Sequence, residues 1–155
     1  MDDRTLSEEY TKIGHELIGE EEVLSDLYNS TASIVYLSST QKKISHDKKI
    51  FAQCEKIPQK YKWGIPCDYT ITVFEPNIEG FTDDQIRILI FHELLHIKII
   101  FNNDGTETRM LRSHDLEDFK YIIDRYGTNW NLVSDFDTGE VSENKSAAED
   151  LDEVD

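Results

Sequence analysis

The sequence predicts an α+β fold, in which a small, mostly antiparallel sheet packs against one buried helix and flanking helices. Three observations lead there. The run YTITVFE at 69–75 is β-branched and aromatic, and weaker strand-like runs precede it. The segment that follows is apolar nearly all round and opens with a helix cap, which describes a buried helix. Amphipathic helical spacing recurs towards both ends of the chain.

In order along the chain, residues 6–28 read as a helix. Ser7 can cap it, and Tyr10, Ile13, Leu17, Leu24 and Leu27 recur at helical intervals, with Gly19 a point of kinking or division. SIVYLS at 33–38 reads as a strand, and STQKKISHD at 39–47 as a polar turn. KKIFAQCEKI at 48–57 alternates and reads as a second strand, with a loop from Pro58 to Pro66. After YTITVFE, Pro76 and Gly80 mark a turn. Thr82, Asp83, Asp84 and Gln85 then make a capped, acidic first turn for a helix expected to run to about Phe101. Asn102-Asn103-Asp104-Gly105 ends it. Residues 106–113 read as a short strand or loop, and a last helix is expected from about Ser113 to Gly127.

The 155 residues suit one compact core with terminal additions: a helical segment at 1–29, a core at 30–130 and an acidic tail at 131–155. The tail is expected to be disordered, being rich in acids and poor in apolar residues. With 32 acidic against 16 basic residues the net charge is −16, which argues against nucleic-acid binding because phosphates would be repelled. No secretion signal is recognised in residues 1–25, and no segment is long and apolar enough for a membrane span. Cys54 and Cys67 are accordingly expected to be reduced thiols in a cytoplasm.

The chemistry concentrates in FHELLHIKII at 91–100. His92 and His96 are four apart, so on a helix they share a face and can ligate one zinc ion. Glu93 lies beside them without ligating and can take a proton from an activated water. Burying these groups among Leu, Ile and Phe would cost several kcal/mol unless they are paired or bound to a metal. A catalytic zinc needs a third protein ligand. His114 is preferred, since imidazole suits zinc and an Asn/Asp/Gly turn lets the chain return; Asp115, Glu117 and Asp118 are the alternatives, as ligands or as partners that orient His114.

HELLH on an oily helix, followed by HDLEDF and RYG, resembles the putative phage metallopeptidases of the zincin superfamily over about residues 30–128. It is similar, more distantly, to the SprT-like proteases. The resemblance implies a zincin-like fold with His92, His96 and His114 as zinc ligands and Glu93 as catalytic base. It also implies Asp115 as neighbour of the third ligand and Phe119 as the residue that seats the last helix. It implies, further, a phage or prophage protein working inside a bacterial cell. The two positions inside the HExxH box, often small or Cys in such families, are both Leu here.

The function expected is therefore hydrolysis of peptide bonds in a peptide or protein substrate. The strand at 69–75 is the expected sheet edge for an extended peptide. Arg112, Tyr121, Tyr126 and His15 are the candidates for steadying the oxyanion. His15 is otherwise read as a surface or packing residue, His46 as solvated, and Trp63 and Trp130 as packing residues. The competing reading is a non-catalytic, zinc-stabilised acidic protein that captures a partner or mimics nucleic acid.

Overall fold

The computed structural model describes residues 3–112 together with Ile122, Arg125, Tyr126 and Trp130. The expected last helix, apart from the helical Ile122, Arg125 and Tyr126, and the expected disordered tail lie outside the described residues. The architecture is mixed α and β. In order come β1 (Arg4–Leu6), α1 (Glu8–Glu20), α2 (Ser25–Asn29), β2 (Ile34–Ser39), β3 (Ile44–Ser45), β4 (Lys48–Lys49), β5 (Ala52–Lys56), β6 (Tyr69–Phe74), α3 (Asp83–Leu94), β7 (Ile97–Phe101) and β8 (Glu107–Leu111). None of the described helices is long and apolar enough to cross a membrane.

Four strands form the main sheet in the order β1-β2-β6-β5. The β1–β2 and β5–β6 pairs are antiparallel and β2–β6 is parallel, so the sheet is mostly antiparallel as expected. The expectation that residues 69–75 form a sheet edge is wrong. β6 pairs with β2 from Ile34↔Tyr69 to Ser39↔Phe74, and with β5 from Ala52↔Val73 to Lys56↔Tyr69. Its own composition explains this: Tyr69, Ile71, Thr72, Val73 and Phe74 are all buried, at both parities, and a strand covered on both faces belongs in a sheet interior. β5 is the outer strand on that side among the described residues.

Three other boundaries differ from expectation. The first helix stops at Glu20, because Glu21 is extended, and a 3-10 turn at Glu22–Leu24 redirects the chain into α2. The Ser7 cap holds, with Oγ accepting from Tyr10 N at 3.1 Å. The strand expected at 48–57 is divided. Lys48 and Lys49 pair back on Ser45 and Ile44 through a two-residue turn at His46 and Asp47, both at positive φ as such hairpins require. The buried helix ends at Leu94 instead of about Phe101, and Ile97–Phe101 pairs with Glu107–Leu111 as a hairpin. In the hairpin Ile97 and Ile99 are buried while Lys98 and Ile100 are exposed, the alternation of a strand, and the turn that follows contains Asp104-Gly105.

The core lies between the sheet and the helices. Leu89, Ile90, Phe91 and Leu94 of α3 join Ala52, Cys54, Ile71 and Val73 of the sheet, and Tyr10, Leu17 and Tyr36 continue the cluster towards α1. Cys54 and Cys67 are both buried, and no disulfide joins them. Trp130 is buried as expected, whereas Trp63 is not a packing residue: it is 90% exposed. α1 comes so close to β2 that a Cβ at Gly14 would lie 2.2 Å from the Tyr36 hydroxyl. Burial pushes the Tyr36 phenol well above its ordinary range, with Cys54 adding to the effect.

A buried carboxylate ties the elements together at the start of β6. Asp68 accepts from Ser33 N at 2.8 Å and pairs with Lys62 and with Arg109 of β8, the latter at 2.8 Å. Burial alone would raise its pKa, but the bonds from Lys62 and Ser33 and the Arg109 charge outweigh that and hold it below the ordinary 3.8. Next to it, the buried Tyr69 donates its hydroxyl to Met110 O at 2.9 Å, which fastens the β7–β8 hairpin to the sheet.

Two measurements check this packing. Gly14→Ala gains up to about 1 kcal/mol of helix propensity but forces overlap costing up to about 3, so urea denaturation should show a net loss near 2 kcal/mol. Gly19→Ala in the same helix, with nothing within 4 Å of its Cβ, should instead stabilise, by about 0.5–1 kcal/mol. Asp68→Asn should cost about 2 kcal/mol at pH 7. Because the folded-state pKa of Asp68 is depressed, its contribution is complete above 3.8 and is lost as pH falls through the lower folded value. The gap between wild type and variant should therefore narrow at acid pH, and a constant gap down to about pH 2 would contradict the assignment.

Candidate metal centre

α3 is built to end where the polar groups gather. Thr82 caps its start in a full capping box, with Oγ1 accepting from Gln85 N at 3.2 Å and Thr82 N donating to Gln85 Oε1 at 2.8 Å. Its body is held by the apolar core, and its last turn carries His92 and Glu93. His96 lies two residues beyond the helix, yet Leu95 keeps a helical backbone and His96 N donates to Glu93 O at 3.1 Å. The chain thus tightens by one 3-10 step, and His96 stays on the face of His92.

The structure brings three of the expected residues together. His92, Glu93 and His96 offer ligand-type atoms all within 4.8 Å of one another, and the two imidazole rings stand edge to face with centroids 5.3 Å apart. They are 1%, 3% and 1% exposed. Two imidazoles beside a carboxylate, shielded from water, form a donor set that suits zinc.

The tautomer of His96 strengthens that fit. Its Nδ1 lies 2.7 Å from Arg112 O. A carbonyl only accepts, so Nδ1 carries the proton and Nε2 keeps the lone pair that a metal needs. The β7–β8 hairpin supplies this partner. Its register pairs Ile97 with Leu111, so the next residues outward, His96 and Arg112, face each other. Arg112 N donates to His96 O at 2.7 Å, and the Arg112 guanidinium donates through Nε to Leu95 O at 2.8 Å. Three bonds from one residue lock the turn that presents His96.

Arg112 therefore has a defined structural role that sequence reasoning missed, having entered only as an oxyanion candidate. The signal was in the hairpin: once 97–101 and 107–111 are strands, their register places residue 112 opposite residue 96. Trp130 was also undervalued. Its ring lies 6.2 Å from that of His92, and its carbonyl accepts from Gln85 Nε2 at 3.1 Å. Gln85 and His92 are seven residues apart, two turns along one helix face, so Trp130 spans that face. Of the other oxyanion candidates, His15 stands exposed on α1, edge-on to Tyr36, and Tyr126 is exposed beneath the Arg125 guanidinium. Tyr121 lies outside the described residues, as do His114, Asp115, Glu117, Asp118 and Phe119.

The chain matches the family model described as "Putative phage metallopeptidase" over residues 3–137, and it belongs to that family. The match includes β1 and α1, which pack into the same sheet and core as the rest. No curated protein and no solved structure matches the chain.

Arg112→Ala removes the guanidinium bond to Leu95 O and leaves the backbone bonds in place. It should cost about 1–2 kcal/mol in stability and loosen His96. Equilibrium dialysis against zinc should show affinity falling by about 10-fold, the usual scale for losing an outer support of a ligand. Unchanged zinc affinity would mean that the backbone bonds alone suffice.

Proposed function

We propose that this member of the putative phage metallopeptidase family is a zinc-dependent peptidase with a zincin-like fold. The observation that carries the reading is the buried His92–Glu93–His96 group, with His96 held in its ligating tautomer by Arg112 O. His92 and His96 would hold the ion, with His114 as third ligand in preference to Asp115, Glu117 or Asp118. Arg112, hydrogen-bonded to His96, stands only two residues before His114 in the chain, which supports that choice. Asp115 would orient His114. A bound zinc supplies Lewis-acid polarisation of a carbonyl and a water that ionises near neutral pH.

The remaining chemistry falls to the chain. Glu93, buried against the two imidazoles, accepts a proton from the attacking water and returns it to the leaving amine. Its carboxylate lies 4.0 Å from His92 Nε2, close enough to serve the same small volume. An extended peptide would add to the outer edge of β5, the antiparallel strand against which α3 packs, using main-chain hydrogen bonds. The substrate would be a peptide or protein met in the cytoplasm of a bacterial cell.

Metal content and turnover together test the reading. Wild type should carry one zinc per chain and cleave an unstructured protein substrate. His92→Ala, His96→Ala and His114→Ala should each lose the metal. Glu93→Gln should retain it and lose about 10²–10⁴-fold in turnover, the range for removing a general base. Zinc retained in His92→Ala and His96→Ala would sink the metal assignment. Full function of Glu93→Gln with zinc bound would sink the catalytic one.

A further inference from the structure

The chain is strongly acidic overall, at −16, yet seven of its 16 basic residues fall in one stretch. Between residues 42 and 62 there are seven lysines and only two acids, Asp47 and Glu55. The fold divides these lysines into two groups, one at each end of β5. Lys42, Lys43, Lys48 and Lys49 belong to the β3–β4 hairpin, which is anchored at the start of β5 by Asn77 Nδ2 bonding to Lys43 O and Ile50 O at 2.8 and 2.7 Å. Lys56 ends β5 and Lys60 lies in the 3-10 turn that follows, while Lys62, which caps that turn, is held by Asp68. Lys49, Lys56 and Lys60 are exposed. In that same turn Trp63 is 90% and Tyr61 47% exposed, with Lys60 Nζ 5.2 Å from the Tyr61 ring centroid.

We infer that the lysine groups at the two ends of β5 select acidic peptide segments, so that the substrate of this site is a protein stretch carrying Asp or Glu on both sides of an apolar centre. The inference rests on the peptidase reading above and names its substrate class. Five residues of β5 span about 17 Å, so a peptide of about five residues laid along the edge places its flanks against the two groups. At that spacing each group is an independent contact, lying beyond a Debye length of the other at physiological salt. The negative field of the rest of the molecule repels anions in general, and this leaves the lysine-bordered edge as the place where an acidic chain can approach. Peptide is favoured over nucleic acid for two reasons. The lysines form two separated groups where a phosphate backbone rewards a continuous track, and β5, the outer strand among the described residues, has a main-chain edge that matches a peptide. Tyr61 and Trp63 add an apolar ledge beside the second group.

Fluorescence anisotropy with full-length Glu93→Gln protein, which binds without turning over, tests this. The probes are a twelve-residue peptide with an Ala-Leu-Phe centre and Asp/Glu flanks, the same centre with Lys flanks, and a twenty-nucleotide oligo-dT. The acidic peptide should bind at least tenfold more tightly than the lysine peptide, and added salt should weaken it. A Lys49→Glu/Lys56→Glu/Lys60→Glu variant should reduce the preference to twofold or less. The Gln version of the same triple variant, which avoids new charge repulsion in folding, should give an intermediate loss. Equal binding of the two peptides, a preference that survives in the triple variants, or tighter binding of oligo-dT would each overturn the inference. The peptidase reading fails separately, if wild type cleaves none of the peptides.

Discussion

The hydrogen bond between His96 Nδ1 and Arg112 O, 2.7 Å long, is the contact on which the polar centre depends. It joins the end of α3 to the far end of the β7–β8 hairpin and fixes the tautomer of the imidazole at the same time. Around it, Arg112 closes the ladder to His96 O and clamps Leu95 O, so the turn leaving α3 has little freedom. Were the helix to continue through Ile97, as its oily sequence suggests, the histidine would lose this partner and its tautomer would be undetermined. The break in the helix is therefore part of how the centre is made.

The same constraint explains the surroundings. A hairpin that must hold His96 has to be fixed itself, and two of its attachments reach the central strand. Tyr69 reaches Met110 O from the central strand, and Arg109 pairs with the buried Asp68 at the start of that strand. Both attachments spring from adjacent residues of the most buried segment in the sheet. On the other side, the apolar body of α3 is pressed against Ala52, Cys54, Ile71 and Val73, which leaves its last turn no room to rotate. The supports of the centre thus meet the main sheet at β6 and its neighbour β5.

Much of this could be read in the chain, and the failures have physical causes. The capping box at Thr82 and Gln85, the Ser7 cap and the strand nature of 33–38 and 69–75 follow from local chemistry and were legible. So was the grouping of His92, Glu93 and His96, since a four-residue spacing on a helix decides it. The length of α3 was misjudged because Ile and Phe serve a buried helix and a buried strand equally well. The choice between them is made by Tyr69 and Asp68, residues far away in sequence. The place of β6 was misjudged because chain order carries no information about which strands lie on either side. The exposure of Trp63 was missed because composition favours burial of a large aromatic ring, and only the loop geometry sets it outside.

By itself, then, the sequence determined the mixed α and β character, the helix cap, the pair of histidines with their glutamate and the excess of acid. All of these arise from residue types at short range, where backbone periodicity dictates neighbours. Tertiary structure alone decided two things. It made the strongest strand interior and β5 the border among the described residues, and it brought Arg112 to His96. Each depends on contacts between segments distant along the chain. Such contacts are chosen by which surfaces can be buried together, a property of the whole fold and of no single stretch within it.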